Sequence, residues 1–261
     1  MERTAARWRR EGAAAVMVLD SPPLNVLTNQ MRDDIAACLE EIRQEDAVRT
    51  VVITGAGQRA FMAGADIKGF PAMSKVPGAA YGYAKTIYDV WDAVARFDKP
   101  VIAALNGLTL GAGMELALAC DLRVADEHAR FGFPEIKLGL FPGGGGTQRM
   151  PRLAGLALTR EMCFTGEPID AQRAYAAGFL NYVVPRGRCL DQAMELAERI
   201  GRFSAPILSY AKQAVNGGVG VSLEEGLALE ADLWQRAFMT DDLAEGVDAF
   251  LTKREPVFQH R

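Results

Sequence analysis

The chain has 261 residues, 49% of them hydrophobic and 24% charged, with a formal net charge of −4. That balance describes a soluble globular protein able to bury roughly three quarters of its apolar surface, and it excludes a disordered chain. The acidic excess offers no basic field to nucleic acid or to an anionic membrane, although local Arg and Lys can still grip a phosphate.

Arg7-Trp-Arg-Arg10 ahead of Ala13–Leu19 has the outline of a signal peptide, but the apolar run is short, Asp20 ends it, and no small-residue cleavage site follows. Ala13–Leu19 is therefore predicted as the first strand. Met31, Ile35, Leu39 and Ile42 recur at helical spacing between Thr28 and Gln44, with Thr28 or Asn29 placed to cap. Thr50–Thr54 is a buried strand stopped by Gly55-Ala-Gly57, and Tyr83, Ile87, Val90, Trp91 and Val94 mark a second amphipathic helix. Val101–Cys120 is apolar over a transmembrane length, but Asn106, Glu115 and the glycines at 107, 111 and 113 make it a buried strand, a turn and a helix, the strand starting at Pro100. Leu122–Ala125 adds another strand, giving an α/β pattern of βα repeats. After about Arg199 the chain is nearly all helical, and Leu223, Leu227, Ala231, Trp234 and Phe238 form one stripe. Such a stripe is core within its own subunit or is buried against a neighbour.

The four cysteines, at 38, 120, 163 and 189, have no C-x-x-C spacing and lie in apolar surroundings, as buried free thiols in a reducing cytoplasm would. His128 and His260 are the only histidines, which argues against a metal site or a Ser-His-Asp triad.

Three glycine-rich segments remain. Phe61-Met-Ala-Gly-Ala-Asp-Ile-Lys68 follows a strand and is predicted as a loop whose small residues let a ligand approach main-chain N–H groups. Gly111-Ala-Gly-Met-Glu115 opens a helix, whose N-terminus presents unpaired N–H groups. Phe131-Gly-Phe-Pro-Glu135 leads into Gly143–Gly146 and Thr147-Gln-Arg149, a glycine loop that fits neither phosphate-binding pattern. Glu115 and Glu135 stand out because a carboxylate is costly to bury unless something pairs with it or uses it. On its own, Glu115 is also explained as a helix-start carboxylate with no further role.

Together and in this order, Phe61–Lys68, Leu110–Asp121 and Phe131–Arg149 resemble the crotonase (enoyl-CoA hydratase/isomerase) superfamily over essentially the whole chain. The 20-residue separation of the two glutamates is similar to that of the hydratase branch, and Phe250–Phe258 to the family's C-terminal helix and tail. The resemblance implies a spiral of ββα units over residues 1–198 and a C-terminal helical, oligomerising segment over 199–261. It further implies hydration of a trans-2-enoyl-CoA to a 3-hydroxyacyl-CoA, in fatty-acid metabolism such as β-oxidation. By position, Ala65 and Ala112 would supply the oxyanion-hole N–H groups, Glu115 would activate water and Glu135 would protonate C2. Ala63, Asp66, Ile67 and Lys68 would line the acyl-CoA site, and the Gly143 N–H would help orient the water or Glu135. Alanine at 112 departs mildly from the commonest glycine, and Lys68 is also readable as a solubilising surface lysine. No cofactor or metal is implied, CoA entering with the substrate, and the implied assembly is a trimer or a hexamer of paired trimers.

Two alternatives stand beside hydration. One is another enolate chemistry on acyl-CoA, isomerisation or decarboxylation, since a fold does not fix a reaction. The other is a non-catalytic binding protein on the same scaffold, against which both retained carboxylates and the absence of a Lys/Arg stripe count.

Overall fold

In this computed structural model, which describes residues 4–261, ten strands are shared between two sheets. The chain starts with β1 (Ala6–Glu11), β2 (Ala14–Leu19), α1 (Asn29–Arg43), β3 (Thr50–Gly55) and β4 (Ala60–Ala63). Helices α2 (Phe70–Met73) and α3 (Ala79–Ala95) lead to β5 (Val101–Leu105), β6 (Leu108–Leu110) and α4 (Ala112–Ala119). Next come β7 (Leu122–Asp126), β8 (Arg130–Gly132), a 3-10 helix (Pro134–Leu138), α5 (Gly146–Ala154) and α6 (Leu156–Thr165). The spiral finishes with β9 (Ile169–Asp170), α7 (Ala171–Ala176), β10 (Tyr182–Val184) and α8 (Cys189–Gly201). Three helices follow, α9 (Ala205–Gly218), α10 (Leu223–Ala237) and α11 (Asp241–Thr252).

The larger sheet has the order β1-β2-β3-β5-β7-β10 and the smaller one β4-β6-β8-β9. Each turn of the spiral places one strand in each sheet before a helix returns the chain, so β3–β4, β5–β6 and β7–β8 are successive ββα units. Central strands are parallel and covered on both faces, which is why β3 and β5 read as unbroken apolar runs. One core lies on the face carrying α1, α3 and α4. A second packs Val52, Ile102, Ala104 and Val124 against Cys189, Ala193, Leu196 and Ala197 of α8. Thr28 caps α1 by accepting from the Met31 N–H at 3.1 Å.

Three expectations change. A strand precedes the predicted first one: β1 pairs antiparallel with β2 from Ala6↔Leu19 to Glu11↔Ala14. It is an edge strand with Arg7, Arg9, Arg10 and Glu11 exposed, so it carries charge where strand periodicity is sought. Phe61, Met62 and Ala63 belong to β4 rather than to a loop: Met62 and Ala63 pair with Thr109 and Leu110 of β6, and Phe61 sits at a register shift between paired residues. Cys163 is half-buried, while the thiols at 38, 120 and 189 are buried, and none of the four forms a disulfide among the described residues.

The helices after residue 198 attach to the spiral through a screened ion pair, Lys212 Nζ to Asp121 Oδ2 at 2.7 Å. Their tail is tied back by Asp242, which accepts from the Gln259 N–H at 2.6 Å and the His260 N–H at 3.0 Å. The stripe on α10 is not a core of this chain: Leu223, Leu227, Trp234 and Phe238 are 53–79% exposed, and Leu233 is the buried residue of the helix. Phe203, Ile207, Trp234, Phe238, Phe250 and Phe258 line an apolar cavity of about 530 Å³ among α9, α10 and α11, away from both glutamates. Among the described residues, no helix is long and apolar enough to cross a membrane.

Candidate active site

The small sheet sets the site out by register. Ala63 of β4 stands opposite Leu110 of β6, and Leu110 opposite Gly132 of β8, all parallel. Two residues beyond the first pair lie Ala65 and Ala112, one at each strand's carboxyl end. Leu27 flanks Ala65, donating its N–H to Gly64 O at 2.9 Å and accepting the Asp66 N–H at 2.9 Å. In the planar trans Gly64–Ala65 peptide the N–H lies opposite the carbonyl, so the Ala65 N–H points away from Leu27. Ala112 is the first residue of α4, where an N–H has no intrahelical acceptor.

Glycine at 111 is required on two grounds. Its φ is +52°, and a Cβ there would stand 2.9 Å from Glu135 Oε1 and 3.5 Å from Gly64 Cα. The turn before α4 is therefore packed against both the turn after β4 and the Glu135 carboxylate.

Glu115 lies in the first turns of α4, a helix buried along its whole length, and is itself 2% exposed. Its Oε1 accepts the N–H of Gly144 at 2.6 Å and of Gly146 at 2.9 Å. A Cβ on Gly144 would collide with Glu115 Oε2 and with Ile87 of α3, so only glycine lets this main chain come so close. Burial pushes the Glu115 carboxyl up to about 7, with the charge of Glu135 adding and the two amides and Arg149 opposing. Glu135, in the 3-10 helix three residues past Gly132, is also raised by burial, and its Oε2 is buried with no hydrogen-bond partner among the described residues. The two carboxylates thus differ in their partners: two fixed donors oppose, without cancelling, the rise at Glu115, whereas Glu135 has an oxygen free to carry a proton.

The other expected site residues are spread more widely. Ala63 and Asp66 are half-buried, with Asp66 Oδ1 accepting the Lys68 N–H at 3.2 Å, while Ile67 and Lys68 are exposed. Gly143 is exposed; the loop amides that reach a carboxylate are those of Gly144 and Gly146, and they reach Glu115. Two further groups face the carboxylates. The Tyr83 phenol is raised by burial, Arg32 opposing and Asp66 and Glu115 adding, and the Cys163 thiol is raised by burial and by both glutamates. Tyr83 also packs edge-on against Phe70 at 5.5 Å. Sequence periodicity does not separate Tyr83 and Cys163 from other helix residues. Among the described residues, no cluster of His, Cys, Asp and Glu is gathered to hold a metal ion.

Residues 9–261 match the enoyl-CoA hydratase/isomerase family. A probable enoyl-CoA hydratase of Rhizobium meliloti is 40% identical over 252 residues, 96% of either chain. The 2,3-dehydroadipyl-CoA hydratase of Escherichia coli is 40% identical over 257 residues, 97% of either chain, and a short-chain-enoyl-CoA hydratase of Clostridium acetobutylicum is 36% identical over 256, covering 98% of this chain and 97% of that one. The crystal structure of an enoyl-CoA hydratase from Bacillus anthracis superposes with a TM-score of 0.93 at 35% identity, covering 99% of this chain and all of that one. The chain belongs to the enoyl-CoA hydratase/isomerase family and has the crotonase fold.

Proposed function

From that membership we propose that this protein is an enoyl-CoA hydratase, adding water across the 2,3 double bond of a trans-2-enoyl-CoA to give a 3-hydroxyacyl-CoA. The observation that carries the reading is a buried and a half-buried carboxyl, both with raised proton affinity, one held by two N–H donors and the other with a buried, unpartnered oxygen. Hydration needs that asymmetry: a base for water and an acid for carbon.

Glu115, as the anion, takes a proton from water while the oxygen attacks C3. The π electrons shift toward C1, and negative charge collects on the thioester oxygen. The N–H groups of Ala65 and Ala112 receive that oxygen, each such donor being worth about 2.7–4 kcal/mol in the transition state. Glu135 delivers its proton to C2, and proton exchange with solvent resets the pair. Ala63, Asp66, Ile67 and Lys68 flank the path of the CoA moiety, and the Gly143 N–H faces the water. The reaction calls for no cofactor, since CoA is part of the substrate. Exposed aromatics on α10 and α11 support assembly of residues 199–261 into a trimer or hexamer, and thiols outside disulfides suit a reducing cytoplasm.

Loss of the enoyl-thioester absorbance of crotonyl-CoA, with appearance of 3-hydroxybutyryl-CoA, tests the reading. Purified protein that consumes no crotonyl-CoA, nor longer or branched enoyl-CoA substrates, would remove it.

A further inference from the structure

Glu115 receives its two hydrogen bonds from residues separated by Gly145, whose φ of +105° turns the chain so that the N–H groups on either side converge on one oxygen. With those N–H groups directed inward, the carbonyl of Gly144 points outward, where it accepts from Arg149 Nη1 at 3.3 Å. The Arg149 guanidinium lies against the loop closely enough that a Cβ on Gly145 would collide with it. Its other end is fixed by an ion pair between Nη2 and Asp92 Oδ1 of α3. Arg149 thus sits on the opposite side of a single loop from Glu115 and bridges two helices that both pack around that carboxylate.

We propose that Arg149, oriented by Asp92, is a positioning residue of the reaction: it holds the Gly144-Gly145 peptide so that the Gly144 and Gly146 N–H groups stay aimed at Glu115. This rests on Glu115 being the base of the proposed hydration. An arginine suits the task because its planar fork reaches a carboxylate and a carbonyl at once, which a lysine ammonium cannot do in the same fixed geometry. Its charge also opposes the rise in Glu115 proton affinity. The groups facing Glu115 are Glu135 from the 3-10 helix, Arg149 from α5, Tyr83 from α3 and Cys163 from α6, with Asp92 of α3 behind Arg149. Arg149 is the cation among them that touches the loop.

The test compares parent, Arg149→Met, Arg149→Lys and Asp92→Asn in crotonyl-CoA hydration across pH. For Arg149→Met the expectation is a fall in kcat of about 10- to 100-fold, KM little changed, since a small misplacement of a reacting group has effects of that size. The acid limb of its pH profile should move upward by about one unit, the usual scale for losing a nearby opposite charge. Arg149→Lys keeps the charge, so its limb stays near the parent's while kcat still falls. Asp92→Asn lowers kcat without moving the limb upward. A loss from misfolding would scale all pH values alike. A folded Arg149→Met enzyme with parental kcat and limb overturns the proposal, as does a lysine variant with full activity. Titration of 13C-labelled Glu115 by NMR in parent and Arg149→Met reads the same shift without turnover: an unmoved titration overturns the proposal. A parent that titrates as expected but hydrates nothing overturns the hydratase reading instead.

Discussion

Within the spiral, buried charge is answered by main chain, whereas in helices α9 to α11 apolar side chains stand in solvent. Asp34 receives the N–H groups of Thr4, Ala5 and Ala6 on one oxygen and the Gln30 side chain on the other. Burial would raise its pKa, but those hydrogen bonds outweigh it and the group ends below its usual value. Asp126 is held the same way by Gly187, Arg188 and Cys189. Glu115 is served on one oxygen only and stays raised. Full satisfaction marks a carboxylate that fixes structure, and half satisfaction marks one kept for chemistry. On α10 and α11 the incompleteness is apolar: Trp234 is 66% exposed and Phe250 is 82% exposed. Clustered aromatic exposure of that kind is the surface that the proposed assembly would cover.

The sharpest way to break this contrast is to neutralise the half-served carboxylates. Glu115→Gln and Glu135→Gln are each expected to lower kcat by at least about 10², the scale of a positioned acid or base, with little change in KM. The double variant should fall far short of the product of the two losses. A single variant with near-parental crotonyl-CoA hydration would strip that residue of its role. Next in size is Ala65→Pro, which removes an N–H donor and is expected to lower activity by about 10² while circular dichroism and particle size match the parent. Full activity in that folded variant would take the β4 turn out of the mechanism.

Stability gives a third comparison. A carboxyl at about 7 in the fold and near 4.5 when unfolded binds its proton more tightly in the native state. Its contribution is therefore fully present below pH 4.5, declines as pH rises through 7, and is flat beyond. Glu115→Gln, neutral at every pH, is expected to be the more stable form at pH 8 by roughly 2–3 kcal/mol, with the difference gone at pH 4. Thermal melts at both pH values check this, and a variant melting below its parent at pH 8 contradicts it. The smallest effect on rate per folded chain is expected on α10. Charged residues at both Trp234 and Phe238 should leave the fold intact and reduce particle size in light scattering. A parent that scatters as a 28.3 kDa monomer would end that expectation.

Local physics made much of the spiral legible. The unbroken apolar runs of β3 and β5 announce strands covered on both faces, and Thr28 with its spaced apolar partners announces α1. β1 was hidden because an exposed edge strand carries charge instead of an apolar pattern, and β4 because four residues beside a glycine turn resemble a loop. The path of the spiral came from family resemblance and not from periodicity. The glycine loop was visible as a loop, but its partner was not: Glu115 and Gly144 are 29 positions apart, and no local pattern encodes which carboxylate those amides meet. Arg149 is legible as the end of that glycine segment, but its contacts with Gly144 O and with Asp92, 57 positions away, are not. The exposed stripe on α10 was legible as apolar, while its exposure depends on what α9 and α11 fail to cover.

The matched register of β4, β6 and β8 has a consequence for how such a protein can change. Ala65, Ala112 and Glu135 each follow a strand end by two or three residues, and those strand ends are paired as Ala63↔Leu110↔Gly132. Short of a proline, point substitution leaves the main-chain atoms as they are, and a slip of one residue would turn every side chain of the strand to the opposite face. The spacing of these groups is consequently inherited as a block. Drift and adaptation are left to the side chains around it, such as Phe70 and Tyr83 on α2 and α3. A lineage built on this frame can retune which molecule it accepts far more readily than where the bond is made.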